Sequence, residues 1–122
     1  MFMALRILIV DDNENISNLL QDIISLEDHE ATVSLTGTDA MNQLGNASFD
    51  LAFCDLTLPD ISGWEVIEHI QQHSPETSIA VISGLGDAIP QDELDSHRIR
   101  LVVNKPFQVG DIQSVLHSVT GD

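Results

Sequence analysis

The stretch Leu51-Ala52-Phe53-Cys54-Asp55 decides which fold the rest of the sequence can form. Its four apolar residues stand between two aspartates and are too few for an independent helix. Such a run is typical of a strand that is buried on both faces in the middle of a parallel sheet. Sheets of this kind bind ligands beyond the carboxyl ends of their strands, which is where Asp55 lies. The stretch therefore predicts a central strand and the place of a binding site.

A second strand-like run also ends in acidic residues. The run Arg6–Val10 is followed directly by Asp11 and Asp12. If the two strands are neighbours, Asp11, Asp12 and Asp55 converge at one edge of the sheet and repel one another. A divalent cation relieves that repulsion, and Mg²⁺ or Mn²⁺ suits a few carboxylates and water. Taken alone, Asp11-Asp12 is more simply an ordinary loop and helix cap, so the convergence carries the metal hypothesis.

Length and composition predict a single domain over residues 1–122. Hydrophobic residues make up 43% of the chain, which is enough for one core. No apolar run approaches the roughly 20 residues of a membrane span, and no signal peptide is recognisable. The single cysteine, Cys54, excludes an internal disulfide bond and fits a reducing compartment. We therefore expect a cytoplasmic protein.

The charge of the chain limits its partners. Four basic residues against twenty acidic ones give a formal net charge of −16. Nucleic acid and anionic membrane surfaces are therefore not expected as direct partners, because no basic surface is available to neutralise their phosphates. Divalent cations and proteins with basic surfaces are favoured instead.

Strand-like and helix-like patterns alternate five times along the chain. This alternation predicts an α/β fold in which an open parallel sheet is covered by helices on both faces. For the second helix we expect Thr38 or Asp39 as the cap and Gly45 as the stop signal. The strands are predicted at Arg6–Val10, 31–34, Leu51–Asp55, Ser78–Ser83 and 101–103, and the helices at Glu14–Leu26, 38–44, 64–73, 91–98 and 109–119.

Two further polar residues follow predicted strands. Ser83 ends the fourth strand, and Lys105 follows the fifth. Their hydroxyl and ammonium groups then face the same edge as the three aspartates. A carboxylate cluster, a cation site, a hydroxyl and an ammonium together favour phosphoryl transfer, in which positioning and charge neutralisation supply most of the catalysis.

These residues give the chain a resemblance to a known family. Over about residues 5–120 it resembles the receiver domain of two-component response regulators. The matching motifs are Asp11-Asp12, Asp55 with Pro59 and Gly63 behind it, Ser83, and Lys105-Pro106-Phe107. The resemblance implies a flavodoxin-like fold: five parallel strands in the order 2-1-3-4-5, with the site at the topological switch point.

The resemblance also implies the ligands of a metal. Asp12 would bind Mg²⁺ directly and Asp11 mainly through water. Asp55 and the backbone carbonyl of Thr57 would complete the protein ligands.

The same resemblance assigns the phosphoryl chemistry. Asp55 would be the phosphoacceptor, taking a phosphoryl group from a phosphohistidine on a sensor histidine kinase or a histidine phosphotransfer protein. Lys105 would pair with Asp55 and then with the phosphoryl oxygens, and Ser83 would donate a hydrogen bond to one of them. Pro106 is expected in the cis form. The implied function is a signalling domain that catalyses only its own phosphorylation and dephosphorylation.

Several positions leave other interpretations open. Val102 stands where the family commonly has an aromatic switch residue, which keeps a phosphorylation-independent interaction module as an alternative. An aspartyl-phosphate phosphatase or phosphotransferase would need a second acid two residues after the nucleophile, where this chain has Thr57.

Thr57 and Leu85 are expected to control the access of water to a phosphoryl group. His69 and His73 have the spacing of a surface metal site, although a solvated helix face explains them more simply.

Overall fold

The strand Leu51–Asp55 is the centre of the sheet, and all five of its residues are buried. The computed structural model describes residues 3–84 and 89–121. Within that part of the chain, five parallel strands form one sheet in the order β2-β1-β3-β4-β5, which confirms the predicted fold. Numbered along the chain, the strands are β1 Arg6–Val10, β2 Glu30–Ser34, β3 Leu51–Asp55, β4 Ser78–Ser83 and β5 Leu101–Asn104.

Helices cover both faces of this sheet, as the alternation predicts. They are α1 Glu14–Leu26, α2 Gly37–Asn46, α3 Gly63–His73, α4 Gln91–Ser96 and α5 Val109–Thr120. One core cluster joins the sheet to buried side chains of α1 and α5. The other joins it to α2 and α3, with Leu94 of α4 at its margin. In the described residues no helix has the length and apolar character that crossing a membrane requires.

The helix α1 begins where the sequence predicts. The side chain of Asn13 accepts a hydrogen bond from the backbone N–H of Ile16 at 3.2 Å, so Asn13 rather than Asp12 is its cap. Leu20, Ile23 and Ile24 are buried, but Leu19 is 44% exposed. The core stripe of this helix therefore passes beside Leu19.

The ends of α2 correct two expectations. Its cap is Thr36, whose Oγ1 accepts a hydrogen bond from the N–H of Asp39 at 3.0 Å, and not Thr38 or Asp39. The helix continues through Gly45 to Asn46. A glycine within a helix costs only about 1 kcal/mol relative to alanine, so Gly45 is tolerated and does not end the helix.

The helix α4 is shorter than the predicted span of 91–98, and its C-terminal end explains why. Arg98 has a φ of 58°, in the left-handed region that usually takes glycine. Its N–H donates to the carbonyl of Asp95 at 3.1 Å, and the N–H of Ile99 donates to that of Leu94 at 2.8 Å. This pair of bonds is a Schellman motif, which ends the helix at Ser96.

Candidate functional site

The carboxyl ends of the strands bring the predicted polar residues to one edge of the sheet. Asp11 follows β1, Asp55 ends β3, Ser83 ends β4 and Lys105 follows β5. Because all the strands are parallel, these four ends lie side by side. Leu85, the other residue that we expect at the entrance, lies outside the described residues.

Three carboxylates meet at this edge. Ligand atoms of Asp11, Asp12 and Asp55 all lie within 4.8 Å of one another. Asp11 and Asp55 are buried, whereas Asp12 is exposed. The two buried carboxylates and the exposed one form an acidic site that a cation could reach from solvent.

Lys105 closes the buried side of this site. Its Nζ lies 2.8 Å from Oδ2 of Asp55, as a hydrogen bond, and 2.8 Å from Oδ2 of Asp11, as an ion pair. The direction of the second contact is poor for a hydrogen bond, so the buried Oδ2 of Asp11 lacks a well-directed donor in the described part of the chain. The peptide bond between Lys105 and Pro106 is cis, as the resemblance implies.

Burial and charge shift the ionisation of this pair. Burial raises the pKa of Asp11, and the negative charge of Asp55 raises it further. The Lys105 ammonium and the N–H of Asn13 act to lower this pKa, but they do not outweigh burial. For Lys105, burial acts to lower the pKa, but the contacts with Asp11 and Asp55 outweigh burial and leave it raised. The ammonium therefore stays charged and holds two carboxylates that would otherwise repel each other.

Backbone groups fix the orientation of both buried carboxylates. The N–H of Thr57 donates to Oδ1 of Asp55 at 3.0 Å, and the N–H of Asn13 donates to Oδ1 of Asp11 at 2.9 Å. The hydroxyl of Ser17 donates to the backbone carbonyl of Asp11 at 3.0 Å. The sequence had given no reason to include Ser17, since a serine within a helix carries no such signal.

The loop between β3 and α3 is closed on itself. Thr57 and Ser62 form an isolated antiparallel bridge, and the N–H of Gly63 donates to the carbonyl of Leu56 at 2.9 Å. A Cβ at position 63 would lie 2.1 Å from the carbonyl oxygen of Asp55, so only glycine fits there. Here the backbone packs directly against that of Asp55.

The tip of that loop makes a contact that sequence reasoning missed. The carboxylate of Asp60 accepts hydrogen bonds from the N–H groups of Gly37 and Thr38, each at 2.9 Å, and from the Thr38 hydroxyl. The residues in this contact are separated by 22 and 23 positions in the sequence, and neither hydrophobic periodicity nor strand order predicts such a pair.

Ser83, Val102 and Trp64 have other surroundings. The hydroxyl of Ser83 is buried at the end of β4 and lies 3.4 Å from the carbonyl oxygen of Gly84. Val102, in β5, is 37% exposed. Trp64 stacks on His97, with ring centroids 4.4 Å apart.

The imidazoles of His69 and His73 stack on each other along α3. Their ring centroids are 4.3 Å apart. Among the described residues, the one group of three or more possible metal ligands is the aspartate cluster. That this pair is a solvated helix face and not a metal site stays a prediction.

The sequence comparison agrees with this geometry. The family model for the response regulator receiver domain matches residues 7–117. The chain belongs to that family. Receiver domains are signalling domains of two-component systems, they interact with histidine kinases, and phosphoacceptance is general to the family.

Relatives and solved structures lead to the same family. This receiver domain is 29% identical over 119 residues to the chemotaxis protein CheY of Thermotoga maritima, covering 97% of this chain and 99% of CheY. It is 29% identical over 109 residues to the transcriptional regulatory protein YkoG of Bacillus subtilis, covering 88% of this chain. The BeF3-activated receiver domain of DrrB, also from T. maritima, superposes with a TM-score of 0.85 at 25% identity, covering 98% of this chain and all of DrrB's.

The relatives differ in length. This receiver domain spans nearly all of CheY, but its match covers only 47% of YkoG. The activities of such longer proteins therefore do not transfer to it through this likeness.

Proposed function

We propose that this receiver domain accepts a phosphoryl group on Asp55 from a phosphohistidine. One observation carries the proposal: Asp11, Asp12 and Asp55 meet within 4.8 Å, and the Lys105 ammonium contacts two of them. The donor is a sensor histidine kinase or a histidine phosphotransfer protein. The domain works as one unit over residues 1–122, in the cytoplasm, without direct contact with nucleic acid or membrane.

The same cluster is suited to Mg²⁺ or Mn²⁺. Asp11, Asp12, Asp55 and the backbone carbonyl of Thr57 would hold the ion, since all four offer the hard oxygen ligands that it prefers. Three carboxylates against one ammonium leave an excess of two negative charges, and the buried Oδ2 of Asp11 lacks a well-directed donor in the described residues. When bound, the ion neutralises charge on the carboxylates and on the phosphoryl oxygens.

Phosphoryl transfer needs little covalent chemistry from the chain. An oxygen of Asp55 bonds to phosphorus as the bond from phosphorus to the donor's histidine nitrogen breaks, and that nitrogen takes a proton from solvent. The N–H of Thr57 and the ammonium of Lys105 hold the two oxygens of Asp55, so the nucleophile is already oriented. Lys105 then pairs with the phosphoryl oxygens, and Ser83 donates its hydroxyl to one of them.

The two alternatives from the sequence fit the site less well. A phosphatase of the haloacid-dehalogenase type needs a general acid two residues after the nucleophile, and Thr57 cannot serve as one. A phosphorylation-independent module has no use for an ammonium that holds two buried carboxylates together. Phosphoacceptance gives Asp11, Asp12, Asp55, Ser83 and Lys105 each a role.

The test is phosphorylation by acetyl phosphate and Mg²⁺, followed by intact-protein mass spectrometry. The wild-type chain is expected to gain one acid-labile phosphoryl group, and Asp55→Asn none. Asp50→Asn is the matched control, because Asp50 lies at the opposite end of β3 and bonds to the N–H of Arg6 at 2.8 Å. An Asp55→Asn chain that gained the same mass as wild type would exclude Asp55 as the acceptor.

A further inference from the structure

The loop between β3 and α3 reaches α2 through one carboxylate, which the phosphoryl chemistry does not use. We propose that Asp60 is a positioning residue. It anchors the loop that orients Asp55 and the Thr57 carbonyl, and so sets the affinity of the site for a divalent cation. This inference rests on the proposed function, because it assigns a role to the same acidic site.

The polar half of the contact is a helix cap that satisfies three N–H groups. The first N–H groups of a helix have no partner within the helix. In α2, Asp60 accepts from the N–H groups of Gly37 and Thr38, and Thr36 accepts from that of Asp39. The carboxylate also lies at the positive end of the helix dipole. The pKa of Asp60 is held far below its usual value, first by the Thr38 hydroxyl and then by the N–H groups of Thr38 and Gly37.

The apolar half of the contact fixes the same tip. Gly37 is buried, and a Cβ there would lie 2.3 Å from Cγ1 of Ile61 and 3.1 Å from Cγ2 of Val66. Ile61 therefore rests directly on the backbone of the first turn of α2. Two adjacent loop residues, one by charge and one by packing, hold the tip against that turn.

The loop can transmit this anchoring to the acidic site because it is short and closed. Thr57 and Ser62 are bridged, and the N–H of Gly63 bonds to the carbonyl of Leu56. Thr57 in turn donates its N–H to Oδ1 of Asp55 at 3.0 Å. A shift of the tip therefore moves the Thr57 peptide units, which carry both the donor to Asp55 and the proposed carbonyl ligand.

The test measures the Kd for Mg²⁺ by titration calorimetry, at a temperature where circular dichroism shows every variant folded. Asp60→Ala is expected to raise the Kd about tenfold, as for other residues that orient metal ligands. Gly37→Ala changes no charge but displaces the tip through Ile61, so it is expected to raise the Kd as well. Phosphorylation by acetyl phosphate should return close to the wild-type rate at saturating Mg²⁺.

The matched control is Asp39→Ala. It removes one carboxylate from the same turn of α2, while only the backbone N–H of Asp39 takes part in the cap. Its Kd is expected to equal that of wild type. A folded Asp60→Ala chain with the wild-type Kd would overturn the proposal, as would equal weakening in Asp60→Ala and Asp39→Ala. A wild-type chain that bound Mg²⁺ but gained no phosphoryl group would overturn the proposed function and leave the Kd comparison valid.

Discussion

Lys105 is the residue on which the acidic edge depends. Its ammonium lies 2.8 Å from Asp11 and from Asp55, and 18% of its side chain is exposed. Removing one partner of a buried ion pair destabilises a fold more than replacing the whole pair with apolar residues, because the remaining charges stay buried without compensation. In this chain two carboxylates would be left facing each other.

Lys105→Met is therefore expected to lower the free energy of unfolding in EDTA by about 2 kcal/mol, less than the ~3–5 kcal/mol of a fully buried pair. Mg²⁺ should restore more stability to this variant than to wild type, since the ion then supplies the missing positive charge. Urea unfolding with and without Mg²⁺ measures both effects. Arg6→Met removes a cation at the opposite end of β1 and is the control. An equal response of the two variants to Mg²⁺ would contradict this prediction.

The stability that Lys105 contributes should also depend on pH. Its pKa in the fold is raised above the unfolded value of about 10.4. The contribution is then fully present below about pH 10 and is lost as the pH rises through the folded pKa. The difference in stability between wild type and Lys105→Met should therefore persist from neutral pH to about pH 10 and shrink above it, as urea unfolding across that range would reveal.

At the scale of elements, the end of α4 contains a conformation that its residue does not favour. Arg98 adopts a φ of 58° to complete the Schellman motif. The left-handed region costs an ordinary L-residue about 1–2 kcal/mol, and it costs glycine almost nothing.

Arg98→Gly is accordingly expected to raise the free energy of unfolding by about 1 kcal/mol and the Tm by about 4 °C. Arg100→Gly removes the same charge at a position without positive φ, so it should lower stability by about 0.5 kcal/mol. Thermal unfolding of both variants checks the pair. The explanation by backbone strain fails if both variants shift the Tm in the same direction.

The sequence predicted contacts that follow from strand order and missed those that join loops. Asp11, Asp55 and Lys105 meet because each stands at the carboxyl end of a strand of one parallel sheet, and hydrophobic runs reveal those strands. Asp60 and Gly37 meet because the tip of a loop approaches the first turn of α2, and no period in the sequence records this. The left-handed turn at Arg98 was hidden for a related reason, since the usual signal for such a turn is a glycine.

For the molecule as a whole, the net charge of −16 opposes folding at low ionic strength. Added NaCl should raise the Tm by screening this repulsion. MgCl2 at equal ionic strength should raise it further, because it also binds the aspartate cluster. Scanning calorimetry in both salts measures the excess, which is the additional rise in Tm that Mg²⁺ produces over NaCl.

Asp12→Ala separates the two effects. It removes an exposed carboxylate of the cluster and should abolish the excess due to Mg²⁺ while keeping the response to NaCl. An unchanged excess in this variant would place the ion elsewhere on the acidic surface.

The stacking of Trp64 on His97 has a consequence for spectroscopy. Trp64 is the only tryptophan of the chain, and its indole lies flat against the residue that follows α4. We therefore expect the fluorescence of Trp64 to change when the C-terminal end of α4 moves away from α3. A change in emission wavelength or intensity during a titration would then report a change in the contact between α4 and α3, even when no ion has bound beside the indole.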